Sequence, residues 1–221
     1  YKLKTGCQGE LLPRSFPPKS TVHYYFQQWT RNGIWAAIND ALRRRVRVEV
    51  AGREHVEPTG GGIDTQSVES SVAGGPERGF DGGKKVVGRT RHPRTDMPGL
   101  LVPAVVPSAR RYDGVGARQV VAATKARGST RTKVWADQTN RGELGAWMAD
   151  NGRGAVAMGE RLPGQKGFEV QPKRRVVERT HAWLSGTRQL SREDAHTPRH
   201  SERWRSLASI RLLGRRLAKA A

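Results

Sequence analysis

The chain has 221 residues, and 40 Lys and Arg against 20 Asp and Glu give it a formal charge of +20 at pH 7. This excess favours a polyanionic partner, of which nucleic acid is the commonest. No apolar run approaches the ~18 residues of a membrane helix, so no membrane partner is expected, and the single cysteine, Cys7, excludes an intrachain disulfide and a thiolate zinc site.

Two helices are predicted near the start of the chain. The first ends at Asn32-Gly33, where a glycine can take the left-handed conformation. The second runs from about Ile34 to Arg47 and has an apolar stripe along one side. The polar stretch 51–62 contains three consecutive glycines and is predicted to be a linker. The aromatic residues of the two helices are expected to pack between them rather than stack on bases.

Short apolar and β-branched runs in the middle of the chain predict strands, and later patterns predict helices. Pro103 interrupts one of these runs, and a proline deletes one hydrogen bond of a strand ladder. Strands first, then strand–helix alternation, then helices favour a mixed α/β sandwich. The predicted strands are 63–68, 99–106, 132–136 and 154–157, and the predicted helices are 117–127, 142–150, a helix after Pro172 and about 201–217.

Three acidic residues are candidates for a functional site. Asp64 and Asp137 lie within or at the end of predicted strands, and Glu178 lies on the helix after Pro172. A lone helical acid is usually a solvated surface group, but two strand-borne aspartates and a later glutamate can converge into a site for divalent cations. On a helical wheel, Val176, Val177, Thr180, Trp183 and Leu184 fall on one side of this helix, and Arg174, Glu178, His181 and Ser185 fall on the other.

Five motifs follow one another along the chain: IDTQSV at 63–68, GGPERGFDGGKKVVGRTRH at 74–92, WADQTNRGEL at 135–144, GQKGFEV at 164–170 and RRVVERTHAWL at 174–184. With these motifs the chain resembles a bacterial insertion-sequence transposase of the acidic-triad (DDE) type, in the insertion-sequence-five group. Any single basic residue would be weak evidence, whereas the ordered set of five motifs is strong evidence.

The resemblance implies an α/β fold with a ribonuclease-H-like mixed sheet that is flanked by helices and preceded by a short helical N-terminal region. Residues 1–55 would be the remnant of a helical DNA-binding region, and residues 56–221 the catalytic domain. The stretch 84–92 corresponds to the second strand of the family. The start of the chain resembles the end of the family's N-terminal helical region. Because the family has further helices before that region, we expect an N-terminally truncated and diverged copy.

The resemblance also implies the chemistry. Asp64, Asp137 and Glu178 would be the catalytic residues and would hold two Mg²⁺ or Mn²⁺ ions, which carboxylate oxygens suit. The first reaction would hydrolyse DNA at the end of the element and expose a 3′-hydroxyl. In the second, that hydroxyl would attack target DNA, and neither step needs a covalent intermediate with the protein.

The implied partner is double-stranded DNA, both the element ends and the target. Synapsis of two ends favours a homodimer, and the expected location is the cytoplasm, in association with the nucleoid. Arg174 is expected to grip a phosphate or to hold Glu178 in place, although an ordinary i,i+4 helix pair needs no function. The residues expected to contact DNA are Lys84, Lys85, Arg89, Arg91, Arg174 and Arg188.

Two other functions stay open at this stage. One is a basic, non-enzymatic DNA-binding protein, which the charge alone would suggest, and the other is a metal-dependent nuclease of the same fold. Departures from the family pattern also predict that this copy is weakly active or inactive. They include Pro103 in the third strand, bulkier residues after Asp137, and His181 and Thr187 at positions where the family has aromatic residues.

Overall fold

Helices at both ends of the chain flank a mixed sheet built from its middle. The structure, a computed structural model, describes residues 1–71, 74–75, 77–105, 118, 122, 133–136, 141–151, 156–158 and 172–220. Within these residues the helices are α1 (Lys2–Thr5), α2 (Lys19–Arg31), α3 (Ile34–Arg45), α4 (Arg141–Asp150), α5 (Pro172–Ser185), α6 (Arg188–Ser191) and α7 (Pro198–Ala220). The strands are β1 (Gly60–Ile63), β2 (Gln66–Glu69), β3 (Gly79–Asp81), β4 (Val86–Asp96), β5 (Leu101–Val105), β6 (Lys133–Ala136) and β7 (Val156–Met158).

The sheet is organised around β4, an 11-residue strand. The strand order is β2-β4-β1-β6-β7, with β3 and β5 also paired to β4. Every strand that pairs with β4 runs antiparallel to it, whereas the β1–β6 and β6–β7 pairs are parallel. The predicted mixed α/β arrangement of strands and helices is therefore confirmed. The predicted helix 117–127 lies almost entirely outside the described residues.

The prediction of a single strand over 63–68, preceded by a linker, is wrong. The strand β1 consists of Gly60–Ile63, and Asp64 and Thr65 separate it from β2. Glycine has a low strand propensity, so the sequence pattern pointed away from a strand here. The packing explains why this strand contains glycines. A Cβ on Gly61 would overlap the carbonyl of Thr95 on β4, and one on Gly62 would overlap a methyl group of Val177 on α5.

We expect Gly62→Ala to destabilise the protein by ~1–3 kcal/mol, because the added methyl group must push α5 away from the sheet. Gly214→Ala is the matched control, since a Cβ at that position on α7 meets nothing within 4 Å. This control should be neutral or should stabilise the protein by up to ~1 kcal/mol. Urea unfolding of both variants measures the difference, and equal effects would show that β1 and α5 are not in close contact.

Pro103 lies in β5, which among the described residues pairs only with β4. The register of that pair shifts between His92 and Arg94, which pair with Val105 and Val102. Two residues of β5 therefore face one residue of β4, as in a β-bulge. A proline at the bulge of an edge strand is well tolerated. The expectation of a weakly active copy loses this support, and as a statement about activity it stays a prediction.

The helices before residue 55 share hydrophobic clusters with the rest of the chain. Val46, which follows α3, packs with Leu100 and with Leu213 of α7. The predicted aromatic packing of the first helices is confirmed in part, since Trp29 and Trp35 lie with their ring centroids 4.9 Å apart. The ring of Tyr25 contacts Trp29 edge-on, with the centroids 6.3 Å apart, although half of Tyr25 is exposed. The second cluster consists of Leu3, Leu101, Leu184, Leu190 and Ala208. The predicted division of the chain into two domains at residue 55 stays a prediction. None of the described helices is long and apolar enough to cross a membrane.

His92 on β4 is fully buried, and within the described residues neither of its ring nitrogens has a hydrogen-bond partner. Burial, together with the charges of Arg205 and Lys84, lowers the pKa of His92 to about 4. The unfolded chain therefore takes up a proton more readily than the folded protein below pH ~6.5.

The stability that neutral His92 contributes should be fully present above pH ~6.5 and should be lost as the pH falls towards 4. Between pH 7.5 and 4.5 this loss should be ~2–3 kcal/mol. Urea unfolding of the parent and of His92→Leu at both pH values isolates the effect, because all other titrating groups are shared. If the free energy of unfolding of His92→Leu changes with pH as much as that of the parent, the lowered pKa of His92 is contradicted.

Candidate active site

The candidate site lies where two adjacent parallel strands end. In the register of β1 and β6, Gly62 pairs with Trp135, and each strand has one further residue after this pair. The two strands therefore leave the sheet at the same edge. Asp64 is the residue that follows β1, whereas Asp137 follows β6 in sequence and lies outside the described residues.

Asp64 is held at this edge by its own backbone. Its backbone N–H donates to the carbonyl oxygen of Pro93 on β4 at 3.4 Å, which extends the pairing of β1 with β4 by one residue. Its Oδ1 accepts a hydrogen bond from the N–H of Thr65 at 2.8 Å. The side chain of Asp64 is 27% exposed, so the carboxylate is partly open to solvent.

The helix α5 packs against β1, β4 and β6 and brings Glu178 to this region of the molecule. Its buried side is fixed by Val177, which packs on Gly62, and by Thr180, whose hydroxyl donates to the carbonyl oxygen of Gly99 at 2.9 Å. Glu178 is exposed. Because Glu178 is three residues before His181, the two side chains lie on neighbouring parts of the helix surface.

His181 is the residue of this region that the sequence analysis missed. It was placed on the polar side of the helix, but it is buried, and its Nε2 lies 4.0 Å from Oδ2 of Asp64. Burial and the nearby charges of Arg205 and Arg91 lower the pKa of His181 to about 3, so the imidazole is neutral at pH 7. The spacing of three residues from Glu178 was the available signal.

Lys84 and Lys85 form the turn before β4. The Nζ of Lys84 donates to Oγ of Ser67 at 3.3 Å and to the carbonyl oxygen of Thr65 at 3.5 Å, so this cation lies beside the loop that contains Asp64. Lys85 is exposed and has a left-handed backbone, with φ of 54°. Arg188 is exposed on α6.

Arg89 and Arg91 point into the protein, where their guanidinium groups hold the segment after α6. Arg89 is 0% exposed and donates to the carbonyl oxygens of Ala195, His196, Gly74 and Glu77. Arg91 donates to Glu193 at 2.9 Å. We assign both residues a structural role and leave them out of the surface for DNA. Arg174 belongs to α5, but its side chain lies outside the described set.

The donor chemistry at this edge fits a hard divalent cation, because carboxylate oxygens are the ligands that Mg²⁺ and Mn²⁺ prefer. Asp64 and Glu178 supply such oxygens from the sheet and from α5. Among the described residues, no group of three or more His, Cys, Asp or Glu side chains is close enough to hold an ion. The third carboxylate of the predicted set, Asp137, is not among those residues.

A comparison with known families finds a match at the start of the chain. Residues 1–39 match the family model described as "Putative transposase of IS4/5 family" (DUF4096). The match supports a transposase of the IS4/5 type and, at this coarse level, a DNA-cutting enzyme that binds DNA. It covers α1, α2 and the first half of α3, so it does not reach Asp64 or Glu178. No curated protein and no solved structure matches the chain.

Proposed function

We propose that the chain is a DDE transposase with a ribonuclease-H-like catalytic domain, which cuts the DNA of an insertion sequence and transfers the strand to a target. The observation that carries the proposal is the parallel pairing of β1 with β6. It places the strand end that precedes Asp64 beside the strand end to which Asp137 is attached in sequence. The packing of α5 on both strands adds Glu178.

Asp64, Asp137 and Glu178 would hold two Mg²⁺ or Mn²⁺ ions. When bound, such a pair of ions stabilises charge on the attacking and leaving oxygens of a phosphodiester. The chain itself must then hold the DNA so that the attacking oxygen is in line with the scissile bond. Nothing at the site requires an attack by a protein side chain on phosphorus.

Exposed cations support binding of the DNA backbone. Lys84 lies beside the loop of Asp64, Lys85 is the next residue of the same turn, and Arg188 is exposed on α6. We propose that these three residues contact phosphates, with Arg174 as a fourth contact. Non-specific binding of this kind is mainly electrostatic and weakens steeply with added salt.

A joining assay distinguishes a transposase from the two alternatives. A labelled duplex that ends at the boundary of the element, with a free 3′-hydroxyl, is mixed with supercoiled plasmid and Mg²⁺ or Mn²⁺. We expect label to be joined to the plasmid, and EDTA to prevent the joining. Cutting of the plasmid without joining would identify a nuclease, and binding without either reaction would identify a non-enzymatic DNA-binding protein; each result would overturn the proposal.

A further inference from the structure

His181 presents a buried nitrogen to the candidate site. The residue is 8% exposed, and its Nε2 has no hydrogen-bond partner among the described residues. A buried polar atom without a partner costs ~1–3 kcal/mol, and an ordered water or an ion is one way in which a folded protein satisfies such an atom. Among the described residues, the carboxylate oxygen that lies within 4.0 Å of this nitrogen is Oδ2 of Asp64.

We propose that Nε2 of His181 and Oδ2 of Asp64 bind one divalent transition-metal ion together. The inference rests on the proposed function, because it takes Asp64 as a metal ligand. It adds a nitrogen donor to a site whose other expected donors are carboxylate oxygens, and it assigns to the site a preference for Mn²⁺ over Mg²⁺.

The distance between the two atoms suits a shared ion. Two donors that each lie ~2.1 Å from one ion are ~3.0 Å apart at a right angle and ~4.2 Å apart when they lie on opposite sides. The observed 4.0 Å is close to the larger of these values, so the two donors would lie on nearly opposite sides of the ion. It is also too long for a direct hydrogen bond between the imidazole and the carboxylate.

The chemistry of the nitrogen sets the preference. Imidazole is a good ligand for transition metals, whereas Mg²⁺ strongly favours oxygen and retains its water. The nearby cations Arg91 and Arg205 oppose a bound ion, but the carboxylate of Glu193 pairs with Arg91 at 2.9 Å and partly offsets the charge of Arg205. The negative charges of Asp64 and Glu178 act in favour of the ion.

Pulsed electron paramagnetic resonance of Mn²⁺ bound to the 221-residue chain tests the inference. We expect the electron-spin echo to be modulated by an imidazole nitrogen, and the pattern to change when the protein is labelled with nitrogen-15 histidine. His181→Phe should abolish the modulation and weaken Mn²⁺ binding at least ~10-fold while Mg²⁺ binding, measured by competition, changes little. His23→Phe, at an exposed histidine on α2, is the matched control and should keep the modulation.

The outcomes separate this inference from the proposed function. If Mn²⁺ binds, and Asp64→Asn removes it, but the parent shows no nitrogen modulation, His181 is not a ligand and the proposed function stands. If the modulation persists in His181→Phe, another histidine holds the ion and the inference is overturned. If Asp64→Asn leaves Mn²⁺ binding unchanged, both the inference and the proposed metal site are overturned. Absence of nitrogen modulation in the labelled parent overturns the inference whether or not His181→Phe folds.

Discussion

Glu193→Gln is expected to lower the free energy of unfolding by ~3–5 kcal/mol, because it leaves buried guanidinium groups without their counter-charge. Glu193 is 1% exposed and accepts hydrogen bonds from Arg91 at 2.9 Å and from Ser201 at 2.7 Å. Arg89 lies 3.5 Å from the same carboxylate. Glutamine keeps the shape of the side chain but removes the charge that both arginines require.

The matched control is Glu69→Gln. Glu69 and its partner Arg192 are 66% and 61% exposed, with 3.9 Å between their charged atoms, so the loss of this surface ion pair should cost less than ~1 kcal/mol. Urea unfolding at pH 7 compares the two variants. A Glu193→Gln protein that is already unfolded without urea would meet the expectation, whereas two equally small effects would contradict the buried cluster.

Asp64→Asn is expected to reduce metal-dependent DNA cleavage at least ~100-fold and to leave DNA binding nearly unchanged. The amide has the shape of the carboxylate but loses the charge that holds the ion, and even residues that only support metal ligands often account for 10–100-fold of activity. Binding persists because contacts to phosphates supply most of the affinity for DNA. Cleavage of supercoiled plasmid with Mn²⁺, together with a salt titration of duplex binding, measures both effects.

Asp194→Asn is the control for this variant, since Asp194 is an exposed aspartate on the segment between α6 and α7. It makes the same change of charge at a position outside the candidate site and should retain full cleavage. Cleavage by Asp64→Asn at the rate of the parent would show that the acidic residues of the site are misassigned.

The elements with strong local patterns could be predicted from the sequence. The last two long helices, the strand before Asp137 and the left-handed turn at Gly33 all follow from apolar periodicity and glycine chemistry. Asp64 is predicted to lie inside a strand over 63–68, whereas it follows the strand β1, which begins three residues earlier and ends five residues earlier than predicted. Its glycines carry no strand signal, because they are selected by close contacts with β4 and α5 that form only in the folded chain.

The sequence does not predict which polar residues are buried. Arg89 and Arg91 looked like surface cations, since a count of charges does not distinguish an arginine at the surface from one paired with a distant acid such as Glu193. The burial of His181 is missed for the same reason. The helical wheel places His181 on the polar side with Glu178, and only the packing of α5 on the sheet brings its ring close to Asp64. Both errors arise from contacts between residues far apart in sequence.

The central claim is that Asp64, Asp137 and Glu178 form one metal-binding site, and anomalous scattering from crystals grown with Mn²⁺ tests it most directly. We predict two anomalous peaks ~3.5–4 Å apart, with oxygens of Asp64 within ~2.2 Å of a peak and oxygens of Asp137 and Glu178 among the other ligands. This measurement does not require the protein to be active. Ordered Asp64 and Glu178 side chains with no Mn²⁺ peak between them, or with peaks elsewhere on the chain, would contradict the claim.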